Sequence, residues 1–295
     1  MQKLNLRGLG VALVTPFQSN GEIDETALLK IVDSQLQNEV DYLVALGTTA
    51  ETATLSMEER DRVVRLIVQK VNGKIPLVVG IGGNNTLEVA HLLKNFNLSG
   101  VSAVLSVVPY YSKPTQEGLY QHFKCLAGVS PLPIVLYNVP SRTGVNMSAE
   151  TTLRLARDFE NIIATKESSG DLKQIKQIID NKPADFQVIS GDDNFALPLI
   201  QLGAVGVISV LSNAFPKEVG QLTQAALNKD IETAESIELQ LKGLCELLFT
   251  DGNPAGIKAM LHHKGLIENR LRLPLVAATE NTCAKIRQTI QELNK

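Results

Sequence analysis

Apolar residues along the chain fall into short, nearly unbroken runs, separated by longer stretches with helical spacing. The runs are GVALVTPF (10–17), DYLVALG (41–47), PLVVGIG (76–82), SAVLSVVP (102–109), PIVLYNVP (133–140), NIIATKES (161–168), FQVISGDD (186–193) and VGVISVL (205–211). Runs this continuous suit strands buried on both faces, as in a parallel sheet, rather than strands with one wet face. Between them, DETALLKIVDSQLQN (24–38), SMEERDRVVRLIVQKV (56–71), SAETTLRLARDF (148–159) and DLKQIKQIID (171–180) carry apolar residues three and four apart. Ser56 followed by Glu59 predicts a capping box, and Ser148 precedes its helix in the same way. One strand-helix unit repeated eight times predicts a (β/α)8 TIM barrel, with a doubly wound open sheet as the competing arrangement. Beyond residue 215 the strand pattern stops and helical spacing continues. The predicted organisation is a barrel over 1–215 and a helical C-terminal extension over 216–295.

Composition narrows the function classes. The chain has 295 residues, 44% hydrophobic and 20% charged, with a net charge of −3. That balance gives no electrostatic case for nucleic acid or an anionic membrane. The longest apolar runs have strand length, so no membrane span is predicted. The apolar opening runs straight into Thr15–Pro16 and is expected to be a first strand, not a signal peptide. Cys125, Cys245 and Cys283 are far apart and odd in number, which argues against a disulfide framework and fits a reducing cytoplasm. His91, His122, His262 and His263 show no zinc-ligand spacing, and no metal or other cofactor is expected. GIGGNN (80–85) is glycine-rich after a strand but lacks the third glycine of a dinucleotide fingerprint.

A barrel places its chemistry at the C-terminal ends of its strands. Those ends carry Gly47-Thr48-Thr49-Ala50-Glu51, Pro109-Tyr110-Tyr111-Ser112-Lys113, Tyr137-Asn138, Lys166-Glu167-Ser168 and Ser190-Gly191-Asp192-Asp193. Lys166 is the one lysine or arginine inside any of the eight runs. Its side chain either snorkels to water or is buried at the barrel mouth, where desolvation favours a neutral amine able to attack a carbonyl. Tyr137, on the preceding strand, is either a core tyrosine or a phenol that moves protons to and from an intermediate on that amine. Thr48 and Thr49 are turn residues that can also donate to a carboxylate. Arg142 is a surface cation or a two-pronged carboxylate clamp. Asp192 and Asp193 read as loop and helix-cap residues.

GTTAET (47–52), PYYSKPTQEG (109–118), YNVPSRTG (137–144), TKESSGD (165–171) and SGDD (190–193) occur in order at the expected barrel positions. With them, essentially the whole chain resembles the dihydrodipicolinate (4-hydroxy-tetrahydrodipicolinate) synthase family of pyruvate-dependent Schiff-base aldolases. The resemblance implies a cofactor-independent lyase of lysine and diaminopimelate biosynthesis that condenses pyruvate with L-aspartate 4-semialdehyde. It implies an imine on Lys166, proton transfer by Tyr137, Thr48 and Tyr111, and pyruvate carboxylate binding by Thr49. Arg142 matches the residue that receives the semialdehyde's carboxylate, and Gly191 and Ile208 match residues lining the site. Because the phenol at Tyr111 comes from a neighbouring subunit in the family, a homo-oligomer is implied, at least a dimer and commonly a tetramer. Related aldolases acting on 2-keto-3-deoxy sugar acids or N-acetylneuraminate share the lysine and tyrosine; Arg142 favours the synthase. A non-catalytic keto-acid-binding relative is the other class, and it need not keep both Lys166 and Tyr137. Thr52, Ala53, Asn84, Glu88 and Tyr110 match the family's lysine feedback site. Met57 and Arg60 stand where strongly inhibited enterobacterial-type members carry histidines, so weak or absent lysine inhibition is expected. Ala50 replaces the usual glycine, which is costly only if the backbone there is left-handed.

Overall fold

A computed structural model of the chain describes residues 4–293. Among these residues eight parallel strands close into a barrel in sequence order: β1 (Gly8–Ala12), β2 (Tyr42–Ala45), β3 (Leu77–Gly80), β4 (Ala103–Val107), β5 (Ile134–Asn138), β6 (Ile162–Glu167), β7 (Gln187–Ser190) and β8 (Gly206–Ser209). The helices are α1 (Glu25–Gln37), α2 (Met57–Val71), α3 (Thr86–Asn95), α4 (Gln116–Val129), α5 (Pro140–Thr143), α6 (Ala149–Asp158), α7 (Leu172–Asn181), α8 (Ala196–Leu202), α9 (Pro216–Leu227), α10 (Ile231–Thr250), α11 (Ala255–His263) and α12 (Glu280–Leu293). The (β/α)8 reading therefore holds, and the open sheet does not. The four helices drawn from apolar spacing coincide with α1, α2, α6 and α7 to within a residue at each end.

Both predicted caps form: Ser148 Oγ accepts from Thr151 N at the start of α6, and the capping box closes at α2. Ser56 Oγ accepts from Glu59 N while Glu59 Oε2 accepts from Ser56 N, closing the capping box at α2. Asp171 Oδ1 accepts from the amides of Lys173 and Gln174 and starts α7. No described helix is long and apolar enough to cross a membrane. The helices α10, α11 and α12 pack on one another, while α9 lies against β1 and β8.

One strand lies elsewhere than its run. β1 begins at Gly8, two residues before the predicted start, and ends at Ala12. Its first amide bonds are made by Gly8 N to Val205 O (2.9 Å) and Leu9 N to Asp41 Oδ2 (2.7 Å). Gly8 (φ +106°) pairs with Gly206 (φ +156°) at the seam that closes the barrel. A Cβ on Gly206 would lie 1.9 Å from Gly8 O, so only glycine lets the two strands meet there. Apolar periodicity carries no trace of a strand start made of glycines. Further along, the pairing carries Ile208, Gly10 and Tyr42 round one face. A Cβ on Gly10 would lie 2.3 Å from the Tyr42 ring, so the missing side chain makes room for that wholly buried phenol.

Gly206→Ala is expected to destabilise the fold by about 3 kcal/mol or more, since the new methyl meets backbone rather than a movable side chain. A thermal midpoint within a degree or two of wild type would contradict this account of the seam.

Candidate active site

The pairing of β5 with β6 sets Tyr137 beside Lys166 and Asn138 beside Glu167. Neighbouring positions of a strand point to opposite faces, so the lysine and the glutamate part company. Lys166 is 5% exposed, and its Nζ lies 4.4 Å from the centroid of the Tyr137 ring, itself 6% exposed. The snorkelling alternative is thus excluded: the amine is inside. No carboxylate pairs with it among the described residues. Gly191, just past β7, flanks the same side chain. A Cβ there would lie 2.8 Å from Lys166 Cε and 2.0 Å from Ser168 Oγ. Ile208 is 1% exposed, and the register places it on the same inner face as Lys166. Asp192 and Asp193 are structural, as expected. Asp192 caps a single turn, and Asp193 accepts from Ser209 Oγ and from the amides of Val210 and Leu211.

After β2 the chain makes a 3-10 turn over Thr48–Ala50 and passes through Glu51 at φ +53°. The left-handed residue is Glu51, not Ala50, so the alanine in place of glycine carries no backbone strain. Thr49 is 2% exposed, and its hydroxyl accepts from Asn253 Nδ2 at 3.1 Å. Arg142, exposed on α5, donates from Nη2 to Asn253 O at 3.4 Å. Glu51 is buried against Lys258 of α11, which is wholly buried, and it accepts from Arg272 N at 2.9 Å. Lys258 also donates to Arg270 O at 2.9 Å. Burial draws its amine down to about 8 against the pull of Glu51.

A cavity of about 460 Å³ opens at this end of the barrel. Thr48, Tyr137 and Arg142 line it, and so do Thr52, Ala53, Met57, Arg60 and Tyr110. Three residues matched to the feedback site, Thr52, Ala53 and Tyr110, therefore share one space with Thr48, Tyr137 and Arg142, with Asn253 on its wall, whereas Lys166, Thr49, Gly191 and Ile208 lie outside its lining. Asn84, just before α3, and Glu88, in its first turn, are exposed and outside that lining. Tyr111 is not brought to Lys166. It is 89% exposed, at φ +73° in a three-residue turn closed by Ser112 N to Tyr110 O at 2.9 Å. Among the described residues no group of three or more His, Cys, Asp or Glu is placed to hold a metal ion.

The sequence model of the dihydrodipicolinate synthetase family matches residues 5–293. The chain belongs to that family. It is 57% identical, over 99% of both chains, to the 4-hydroxy-tetrahydrodipicolinate synthase of Phocaeicola vulgatus. Among solved structures it is similar to dihydrodipicolinate synthase from Aquifex aeolicus, with 40% identity, a TM-score of 0.95 and 98% of each chain covered. It is similar to the same degree to the chloride-inhibited dihydrodipicolinate synthase of Acinetobacter baumannii, complexed with pyruvate: 40% identity and TM-score 0.95, over 98% of this chain and 99% of that one.

Sequence reading passed over three features of this family member's site. Asn253 and Lys258 sit in a stretch legible only as helix, and their partners lie more than two hundred residues away. Glu167 follows Lys166 but serves the other face. Its carboxylate, 1% exposed, accepts from Asn138 Nδ2 at 3.2 and 3.3 Å and from Ser169 Oγ at 2.8 Å. Burial outweighs those bonds and pushes the Glu167 carboxyl up to about 7. Between about pH 4.5 and 7 the folded chain keeps this proton while the unfolded chain has lost it. Stability from this group is therefore lost as pH rises through that window, by about 3 kcal/mol in all. Glu167→Gln is expected to remove that slope. Parallel stability–pH curves for the two proteins between about pH 4.5 and 7 would refute the assignment.

Proposed function

We propose that the chain is a 4-hydroxy-tetrahydrodipicolinate synthase that works through an imine on Lys166. The observation that carries the reading is the buried, carboxylate-free amine of Lys166 against the Tyr137 ring. The Lys166 amine adds to the keto carbon of pyruvate, and water leaves as the imine forms. Loss of a methyl proton gives the enamine. The enamine carbon then bonds to the aldehyde carbon of L-aspartate 4-semialdehyde, whose oxygen takes up a proton and becomes the hydroxyl. The semialdehyde's amine adds to the imine carbon, closes the ring and releases the Lys166 amine.

Tyr137 is the phenol that passes protons in these steps, with Thr48, which lines the same cavity. Thr49 donates to the pyruvate carboxylate, and Arg142 receives the carboxylate of the semialdehyde. Gly191 leaves room for the lysine stem, and Ile208 closes the inner wall. Tyr111 completes the relay in the site of a second copy; an aromatic ring so exposed on a strained turn supports a partner that covers it. The working form is then a homo-oligomer, a dimer at least and a tetramer by family habit, in the cytoplasm. Arg142 on the cavity wall is what favours this substrate over 2-keto-3-deoxy sugar acids or N-acetylneuraminate, because it provides for a second carboxylate.

Borohydride reduction with pyruvate is expected to add one reduced pyruvate to the peptide that carries Lys166, and to add nothing to Lys166→Ala. An unchanged mass for the wild-type peptide would sink the mechanism. Turnover with sugar acids in preference to pyruvate plus aspartate semialdehyde would sink the substrate.

Lysine feedback is expected to be weak or absent. Arg60 lines the same cavity as Thr52, Ala53 and Tyr110 and brings a guanidinium where a cationic effector would sit, while Met57 offers only a thioether. An inhibition curve losing half its activity at submillimolar lysine would overturn this.

A further inference from the structure

The segment leading into α11 touches both carboxylate-binding residues of the proposed reaction. Asn253 gives its side-chain Nδ2–H to Thr49 Oγ1 (3.1 Å), and its main-chain oxygen takes a bond from Arg142 Nη2 (3.4 Å). These two partners come from the ends of β2 and β5, 204 and 111 residues away in sequence. A second tie runs beside the first. Lys258, whose amide donates to Pro254 O, holds Glu51, two residues after Thr49. The Thr48–Glu51 turn is thus fastened to one C-terminal segment at two points.

The direction of the Asn253–Thr49 bond has a chemical consequence. A threonine hydroxyl has one proton to give and lone pairs to receive. With the amide donating into the oxygen, the hydroxyl proton is turned away from Asn253 and left for another acceptor. The Oδ1 of Asn253 is buried and has no partner among the described residues, a condition uncommon in a packed core and more often found at a site. Asn253 itself is 9% exposed and forms part of the cavity wall.

We infer that Asn253 is a positioning residue: its amide fixes the Thr49 hydroxyl as a donor toward the pyruvate carboxylate, and its carbonyl steadies Arg142. This rests on the function proposed above. Asn253→Asp is nearly isosteric but can only accept at neutral pH, so it captures the Thr49 proton and sets a negative charge against the substrate's own. The concentration of pyruvate giving half-maximal borohydride trapping on Lys166 is expected to rise by about tenfold or more. Asn253→Ala keeps the main-chain bond to Arg142. It is expected to raise KM for pyruvate several-fold while leaving KM for the semialdehyde within about twofold; it also stands in should the aspartate variant fail to fold. Trapping of Asn253→Asp at wild-type pyruvate concentrations would overturn the inference, as would equal rises of both KM values in Asn253→Ala. Absence of trapping in the wild-type protein at any pyruvate concentration would instead overturn the Lys166 reading, and this inference with it.

Discussion

An amine buried without a carboxylate beside it is costly in an ordinary core, and the barrel is organised around keeping Lys166 in that state. The nearest acid in sequence is Glu167, one residue on. Strand parity sends it to the opposite face, where Asn138, paired with it across β5 and β6, and Ser169 hold its carboxylate. A slip of one residue in the β5–β6 register would exchange the two faces and set the carboxylate inside. The wholly buried Ala164 and Thr165 that precede Lys166, and the buried Val135 and Leu136 that precede Tyr137, fix that register by packing both faces of the pair. Burial of Glu167 in turn favours its protonated form, so the acid next to the amine is the less a competing charge the better it is packed.

Local pattern was enough for the eight strands, for four of the helices around them and for the place of the lysine. Eight apolar runs, capped helices and a single cation within the runs gave the barrel and pointed to its mouth. What local pattern does not carry is any bond between residues distant in sequence. The Gly8–Gly206 seam consists of two residues with no side chain, so hydrophobic periodicity has nothing to register there. Lys258 reads as one polar position in an amphipathic helix, yet it is wholly buried because Glu51 reaches it from the other end of the chain. Asn253 reads as the start of a helix for the same reason. Tyr111 shows the opposite case: family motifs name it, but within the single chain it is 89% exposed.

The C-terminal helices therefore do more than extend the core. Phe17, within the first β–α connection, has Lys258 Nζ at 4.2 Å and the Arg272 guanidinium at 4.4 Å from its ring centroid. Arg272 also donates to Gly21 O and Thr54 O and pairs with Glu59 on α2. Cations from one late segment thus grip the first two β–α connections together, and with them the turn that carries Thr48 and Thr49. Removing one member of the Glu51–Lys258 pair would leave the other charge buried alone, a far larger cost than loss of a surface pair.

One wall of the cavity is continuous in sequence. That wall is the stretch from Thr48 to Leu55, two 3-10 turns joined at left-handed Glu51. Arg60 donates from Nε to Leu55 O at 3.2 Å and from Nη2 to Thr52 O at 2.9 Å, so much of its donor capacity is spent on this backbone. Thr52 Oγ1 adds a bond to Gly47 O at 3.0 Å, and Thr54 Oγ1 one to Glu51 O at 2.9 Å. A ligand that shifts a wall must have a differential interaction with two arrangements of it. Here Arg60, on the cavity wall, is itself bonded to this stretch at Thr52 and Leu55, so a ligand that displaces it must first unmake those two bonds.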